Sequence, residues 1–469
     1  MRRMTMILAL MACCLSAHAQ NERNNWIFGY HTGANFGPVL YSGIPSINSI
    51  QAASSISSSS GVLQFYTDGV RVWNRNHAVM PGVVSTPLLG DVDASVLIVP
   101  KPGSGCNEYY IFTTESPFHV AQPTLRYSLV QMNATSGGGL GDVVLRNVVL
   151  QTSVSAQVTA VGDGTGNYWV MAHSSGIGSA PNNLFYPFYV SATGVTAMPP
   201  STGVAHITGY NVASGGPYPA GWRAVGQMKF SHDGTRVASA VPSKYVELCN
   251  FNKVTGQVSG CMTFNSDLAG PHAPFDASTV FGIEFSPLGH YLYVSTYGEA
   301  LPPPGAYCQL VQFDLQNTSN PGVVVATSPW QGVADMGHLQ LAADGAIYLA
   351  RQSKPYISKV PNPELAYPSC GFVQVGKSLS LTSSWGLPNM VQGPFTCGTP
   401  SACPAGTTAT TINGVTFCCS TSDTGQTCCK RLCPVGSSET TMNGTTLCCT
   451  AQGGGVIGSE TEKVCCAKP

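Results

Sequence analysis

Lys229, Glu284 and Gln340 occupy the same place in three copies of one short motif: "GQMKFSHDGTRVASAV" from Gly226, "FGIEFSPLGHYLYVST" from Phe281 and "GHLQLAADGAIYLARQ" from Gly337. Each stands one position before an apolar residue (Phe230, Phe285 and Leu341), so the three share a register. Only 9% of this chain is Asp, Glu, Lys or Arg, against about a quarter in ordinary soluble proteins. A carboxylate in a repeated strand therefore raises a chemical question. Glu284 is the candidate acid, base or cation ligand, because a carboxylate there can move a proton or offer oxygen to a hard ion. His338, Arg223, Lys229 and Arg351 are the candidates to stand beside it. The plainer reading makes all of them polar wall or packing residues with satisfied hydrogen bonds, and His77 and His173 read the same way. No sharper constellation exists: there is no G-x-S-x-G elbow, H-E-x-x-H, Walker loop or EF-hand loop. "GDGTGN" (162–167) lies between two strands and reads as a turn rather than a phosphate cradle. No cofactor is implied.

The elements that must position these residues are short strands. From about Asn25 to Thr396, apolar and polar residues alternate in runs such as "GVLQFYTDGVRVW" and "HYLYVSTYG", with Gly, Pro, Asn and Asp between them. No window carries a convincing amphipathic helix, so the class is all-β. Each motif copy is a strand, a tight turn closed by Gly234, Gly289 or Gly345, and a second strand, repeating about every 55 residues. Weaker copies are "SSISSSSGVLQFYTDG", "ASVLIVPKPGSGCNEYYIFTT" and "QVTAVGDGTGNYWVMAH". With outer hairpins in "NLFYPFYVSATGVTAM" and "YVELCNFNKVTGQVSGCMTF", the unit has about four strands, which predicts a β-propeller. Six units are visible. A seventh, from "NNWIFG" and "SWGLPNMVQ" at the two ends, would close the ring; seven blades are expected, with six or eight as the neighbouring counts.

The series "NNWIFGYHTGANF", "FYTDGVRVWNRNHAVM", "SVLIVPKPG", "YYIFT", "LRYSLVQMN", "GGLGDVVLRNVVL", "IEFSPLGHYLYVS", "LQLAADGAIYLA" and "WGLPNM" resembles the N-terminal, WD40-like propeller domain of secreted proteins from gliding, type IX-secreting bacteria. The likeness covers residues 24 to 395 in consistent order. It implies the propeller fold and a cell-surface or adhesive context, without naming an activity. Relatives continue into immunoglobulin-like repeats and a sorting domain, whereas this chain ends in a cysteine-rich tail.

The compartment is written at both ends. Residues 1–19 carry Arg2 and Arg3, an apolar run from Met4 to about Leu15, and Ala17-His18-Ala19, the pattern of a secretory signal peptide cleaved after Ala19. A rival reading takes "LMAC" as a lipobox with Cys13 lipidated. Sixteen cysteines remain after the signal, an even number suited to an oxidising compartment. The propeller is assigned to residues 24–396 and the tail to 397–469, built from two repeats, 403–432 and 433–469. Each repeat holds five cysteines: Cys403, Cys418, Cys419, Cys428 and Cys429, then Cys433, Cys448, Cys449, Cys465 and Cys466. The tail has no His, and adjacent cysteine pairs suit one tetrahedral ion poorly. Disulfide stapling of a module too small to bury a core is the reading that remains. Cys249 and Cys261 flank a hairpin and are expected to bond across it; the pairing of Cys106, Cys308 and Cys370 stays open.

A net charge of −1 with no like-charge block gives no footprint for nucleic acid or an anionic membrane. No later run approaches the length that spans a bilayer. Trp73, Tyr109, Tyr110, Trp169, Tyr293, Tyr297 and Trp385 read mostly as core, while Tyr218 and Trp222 in "GGPYPAGWRA" suit a surface that stacks on a sugar or peptide. The favoured reading is a secreted or cell-surface, non-enzymatic binding or adhesion protein whose partner is an extracellular protein or glycan. The alternatives are a hydrolase or lactonase-like propeller with a channel metal at Glu284, and a matrix or filament component that self-associates through disulfides of the tail.

Overall fold

A computed structural model describes residues 21–117, 119–176, 183–204, 226–241, 245–265, 278–298, 307–318, 322–329, 335–393 and 395, together with the backbone of seven strands between 408 and 466. The signal-peptide reading, Arg223, Tyr218, Trp222 and the cysteine side chains of the tail lie outside the described residues. Those residues hold strands and three short 3-10 turns. No helix among them is long and apolar enough to cross a membrane.

A two-stranded hairpin, β1 (Asn25–Phe28) and β2 (Thr32–Asn35), comes first. Six antiparallel sheets follow, each wound in chain order from its first strand outward. Blade one is β3 (Ser54–Ser57), β4 (Leu63–Thr67) and β5 (Val72–Asn74). Blade two is β6 (Val96–Pro100), β7 (Glu108–Thr113), β8 (Thr124–Gln131) and β9 (Asp142–Thr152). Blade three is β10 (Val154–Gly162), β11 (Tyr168–Ser174), β12 (Leu184–Ser191) and β13 (Gly194–Ala197), with β14 (Ser201–Thr202) added beside β12. Blade four is β15 (Met228–Phe230), β16 (Arg236–Val241), β17 (Tyr245–Phe251) and β18 (Val258–Asn265). Blade five is β19 (Ser278–Phe285), β20 (Tyr291–Gly298), β21 (Tyr307–Asp314) and β22 (Val323–Pro329). Blade six is β23 (Met336–Leu341), β24 (Ile347–Arg351), β25 (Tyr356–Val360) and β26 (Val373–Ser378). This is a β-propeller, and every repeat copy seen in the sequence forms the first two strands of one blade. The turns obey local chemistry: Gly234 takes φ +67°, which an L side chain resists, while the Asp233 carboxylate accepts from the Thr235 amide at 3.0 Å.

The expected seventh blade is corrected: among the described residues there are six. Both segments assigned to it do reach the seam between blades six and one, but they do not form a blade. β1 closes on β2 through a turn of three residues and buries Trp26, Ile27 and Phe28 completely, in a cluster with Leu63, Tyr66 and Trp73 of blade one and Tyr348 and Ile357 of blade six. "SWGLPNMVQ" holds Gly386 and Pro388, and proline lacks the donor a central strand needs. Its amides reach out to several blades instead of to one sheet neighbour.

In the tail, β27 (Thr408–Ile412), β28 (Val415–Thr421), β29 (Thr427–Arg431) and β33 (Val464–Cys466) form one sheet, and β30 (Ser437–Met442), β31 (Thr445–Thr450) and β32 (Val456–Ser459) a second. The last strand of the second sequence repeat thus pairs with the first repeat, placing Cys465 opposite Cys428 in register.

Candidate functional site

The first strand of each blade faces the middle of the ring, and there polar side chains tie each blade to the next. In blade one, Ser54 Oγ accepts from the Ile98 amide of blade two at 3.1 Å. Thr114, just past β7, donates to the Ala156 carbonyl of blade three at 3.2 Å. Gln157 of blade three donates to the Ala240 carbonyl of blade four at 2.7 Å and accepts from Ser239 Oγ at 3.0 Å. Gln227, at the start of blade four, accepts from the amides of Ile283 (3.1 Å, blade five) and Leu339 (2.8 Å, blade six) with one oxygen. Ser295 of blade five donates to the Gly337 carbonyl of blade six at 2.6 Å.

Within this ring the shared register of Lys229, Glu284 and Gln340 becomes contact. The Lys229 ammonium donates to Gln340 Oε1 at 2.5 Å and lies 3.4 Å from Glu284 Oε2, with Lys229 and Glu284 both fully buried. Glu284 Oε1 accepts from the Phe285 amide at 3.0 Å and Oε2 from the Leu341 amide at 3.1 Å. His232 Nε2 stands 3.8 Å from the same carboxylate. Burial pushes the Glu284 carboxyl up and the Lys229 ammonium down, and the attraction between them opposes both shifts. An ammonium at 3.4 Å is an unsuitable neighbour for a metal ion, and both oxygens are already engaged.

His338 does lie at the middle of the ring, 5% exposed, its ring 5.0 Å from Phe281. Burial holds His338 and His232 neutral, each pushed down to about 3. Arg351 points elsewhere: inside blade six it pairs with Asp335 and donates to Ser358 Oγ at 2.9 Å. His77 has both ring nitrogens engaged, by the Tyr66 hydroxyl at 3.0 Å and the Ser42 carbonyl at 2.6 Å. His173 is 3% exposed beside Glu247, at 3.5 Å. Trp73, Tyr109, Trp169 and Tyr293 are core.

Among the described residues the centre is largely filled. Residues 384–393 run through it as a strap. The Trp385 carbonyl accepts from the His338 amide of blade six at 2.7 Å, Gly386 N donates to Ile50 O at 3.0 Å, and Asn389 N to Ala53 O at 2.8 Å, both ahead of blade one. Farther along, Asn389 Nδ2 donates to Val158 O at 2.8 Å, and Gln392 pairs in parallel with Val161 of blade three. Blades one and three are not neighbours, so a segment that touches both occupies the axis. Leu387, Met390 and Val391 are buried, sealing it among the blade cores. Beside the strap a cavity bordered by Gln227, His338, Leu387 and Asn389 leaves room for about one water. His338 Nε2 and Asn389 Oδ1 there have no hydrogen-bond partner.

Sequence reasoning missed the two glutamines and the strap. "AQVTAV" carries its Gln within an inner strand and "GQMKF" carries its Gln just before one, and that recurrence was the available signal. Of the cysteines, Cys249 and Cys261 form the expected disulfide across the β17–β18 hairpin. Cys106 is also disulfide-bonded, whereas Cys308 and Cys370 are free and buried in the core between blades five and six.

No protein-family model matches the chain, and none of the curated protein sequences does. Among solved structures it is similar to a protein from Lactobacillus plantarum (TM-score 0.38, 11% identity, 69% of this chain and 94% of that one). It is also similar to the periplasmic gluconolactonase of Pseudomonas aeruginosa (0.34, 12%, 75% and 88%) and to the β-propeller domain of Myceliophteria thermophila Cps50 (Swd1) (0.33, 10%, 79% and 87%).

Proposed function

We propose that this chain is a non-enzymatic binding protein of the cell exterior, in which the propeller is a rigid platform and the partner, an extracellular protein or glycan, engages its surface. The observation that carries this reading is the axis, which among the described residues is filled by the strap. A propeller enzyme of the alternative kind needs a substrate to reach groups at the centre, and here the strap takes that space while Glu284 is engaged by Lys229 and two backbone amides. The leader pattern in residues 1–19, the even cysteine count and the resemblance to surface propellers of gliding bacteria support the location. Sparse charge leaves hydrogen bonding and aromatic stacking as the means of recognition.

The test pairs two measurements on the purified mature protein. Turnover of lactone and ester substrates is expected to stay at background for both the native chain and Glu284→Gln, and a glycan array to return saturable binding. Turnover by the native protein that disappears in a folded Glu284→Gln variant would establish the enzyme reading instead.

A further inference from the structure

Away from the axis, three metal-ligating side chains from two loops converge. Asp91 and Asp93 lie in the loop leading into β6, and His119 in the loop between β7 and β8. Asp91 Oδ2 is 2.5 Å from His119 Nδ1, and Asp93 Oδ2 is 3.9 Å from His119 Nε2. One donor atom from each residue falls within 4.8 Å of the other two. The loop that carries the carboxylates is firmly held: Asp93 N donates to Asp91 Oδ1 at 2.9 Å, and the Val92 carbonyl accepts from the amides of Gln51 and Ala52 at 2.9 and 3.0 Å. Gly90 packs so closely on Gly69 that a Cβ would meet its carbonyl oxygen at 2.4 Å. Asp93 approaches His119 with Oδ2, while its other oxygen, Oδ1, is shielded from solvent and has no hydrogen-bond partner among the described residues, so this carboxylate is left short of partners. The neighbouring acid Glu115 is already satisfied by Arg126 at 3.0 Å. Among the described residues, these two carboxylates thus share a single imidazole as their cationic partner.

We propose that Asp91, Asp93 and His119 bind one divalent transition-metal ion, with water completing its coordination. The donor set selects the class. Two carboxylate oxygens with one imidazole nitrogen suit Mn²⁺ or Zn²⁺, the nitrogen disfavours Mg²⁺ and Ca²⁺, and the absence of thiolate disfavours softer ions. His119 is 55% exposed in its side chain, so an ion can enter from solvent without rearrangement of the core. The site joins two loops of blade two beside Ala94 and Ser95, which border the axial cavity.

The experiment is a titration of the full mature chain, disulfides intact, with Mn²⁺, an ion that avoids stray thiols, read by the loss of the free-ion electron paramagnetic resonance signal. One site per chain is expected, weakened at least tenfold in Asp91→Asn/Asp93→Asn and in His119→Gln. Spin-echo modulation from a ¹⁴N nucleus is expected in the native complex, which tests the imidazole ligand without any variant. Binding that is equal in the native and Asp91→Asn/Asp93→Asn proteins, or absent in the native protein for both Mn²⁺ and competing Zn²⁺, overturns the assignment.

Discussion

Lys229 and Glu284 lie with no solvent exposure in a chain that has few charges to place. A buried ion pair of this kind gives little net stability over an apolar pair of equal shape, yet removing one member strands the other. Glu284→Gln and Lys229→Met are therefore each expected to lower unfolding free energy by about 3 kcal/mol, with the double substitution recovering most of the loss. Chemical denaturation of the four proteins checks this, and additive losses would contradict it. The meeting of these residues was legible from one sequence because repeat register fixes depth along the inner strands. The roles of Gln157 and Gln227 were not, since a glutamine on a strand looks the same whether it meets water or a neighbouring blade's backbone. Arg351 misled in the opposite sense. Its position in the motif suggested the centre, but its Asp335 partner precedes β23, outside the part of the repeat that aligns.

At the scale of elements, the hairpin dipeptides and alternating runs located six blades well, because each blade's two inner strands are consecutive in sequence. Strand counting failed at the seam, where "NNWIFG" pairs with the short strand that follows it instead of with a blade, and "SWGLPNMVQ" has strand-like composition but no sequence-adjacent partner. Glycines mark the difference. A Cβ at Gly386 would lie 2.0 Å from the Gln51 carbonyl oxygen, whereas one at Gly345 meets nothing within 4 Å and faces only its φ of +78°. Gly386→Ala is thus expected to cost about 3 kcal/mol, the upper end for forcing atoms into a packed site, and Gly345→Ala about 1 kcal/mol. Thermal melts of the two variants decide the matter; equal losses would mean that the strap does not pack against blade one as described.

At the scale of the whole molecule, His232 and His338 stay neutral in the folded ring, each pushed down to about 3, while the unfolded chain binds their protons near the ordinary value of 6.5. The unfolded state therefore holds more protons between those limits, so stability is complete above about pH 6.5 and falls as pH drops toward 3. Acid unfolding followed by tryptophan fluorescence is expected to fall less steeply with pH in a folded His338→Gln variant. An unchanged acid limb would show that His338 does not carry the effect. The ring itself is continuous: side chains link one blade to the next, and the strap supplies the step from blade six back to blade one. Since the strap lies lengthwise along β10 and crosses to the chain ahead of β3, tension drawn on residues beyond Phe395 loads several hydrogen bonds at once in shear. A strand pulled from the rim would instead unzip one bond at a time. If the chain is held at a surface through its tail, force would thus meet these bonds in shear and not one at a time.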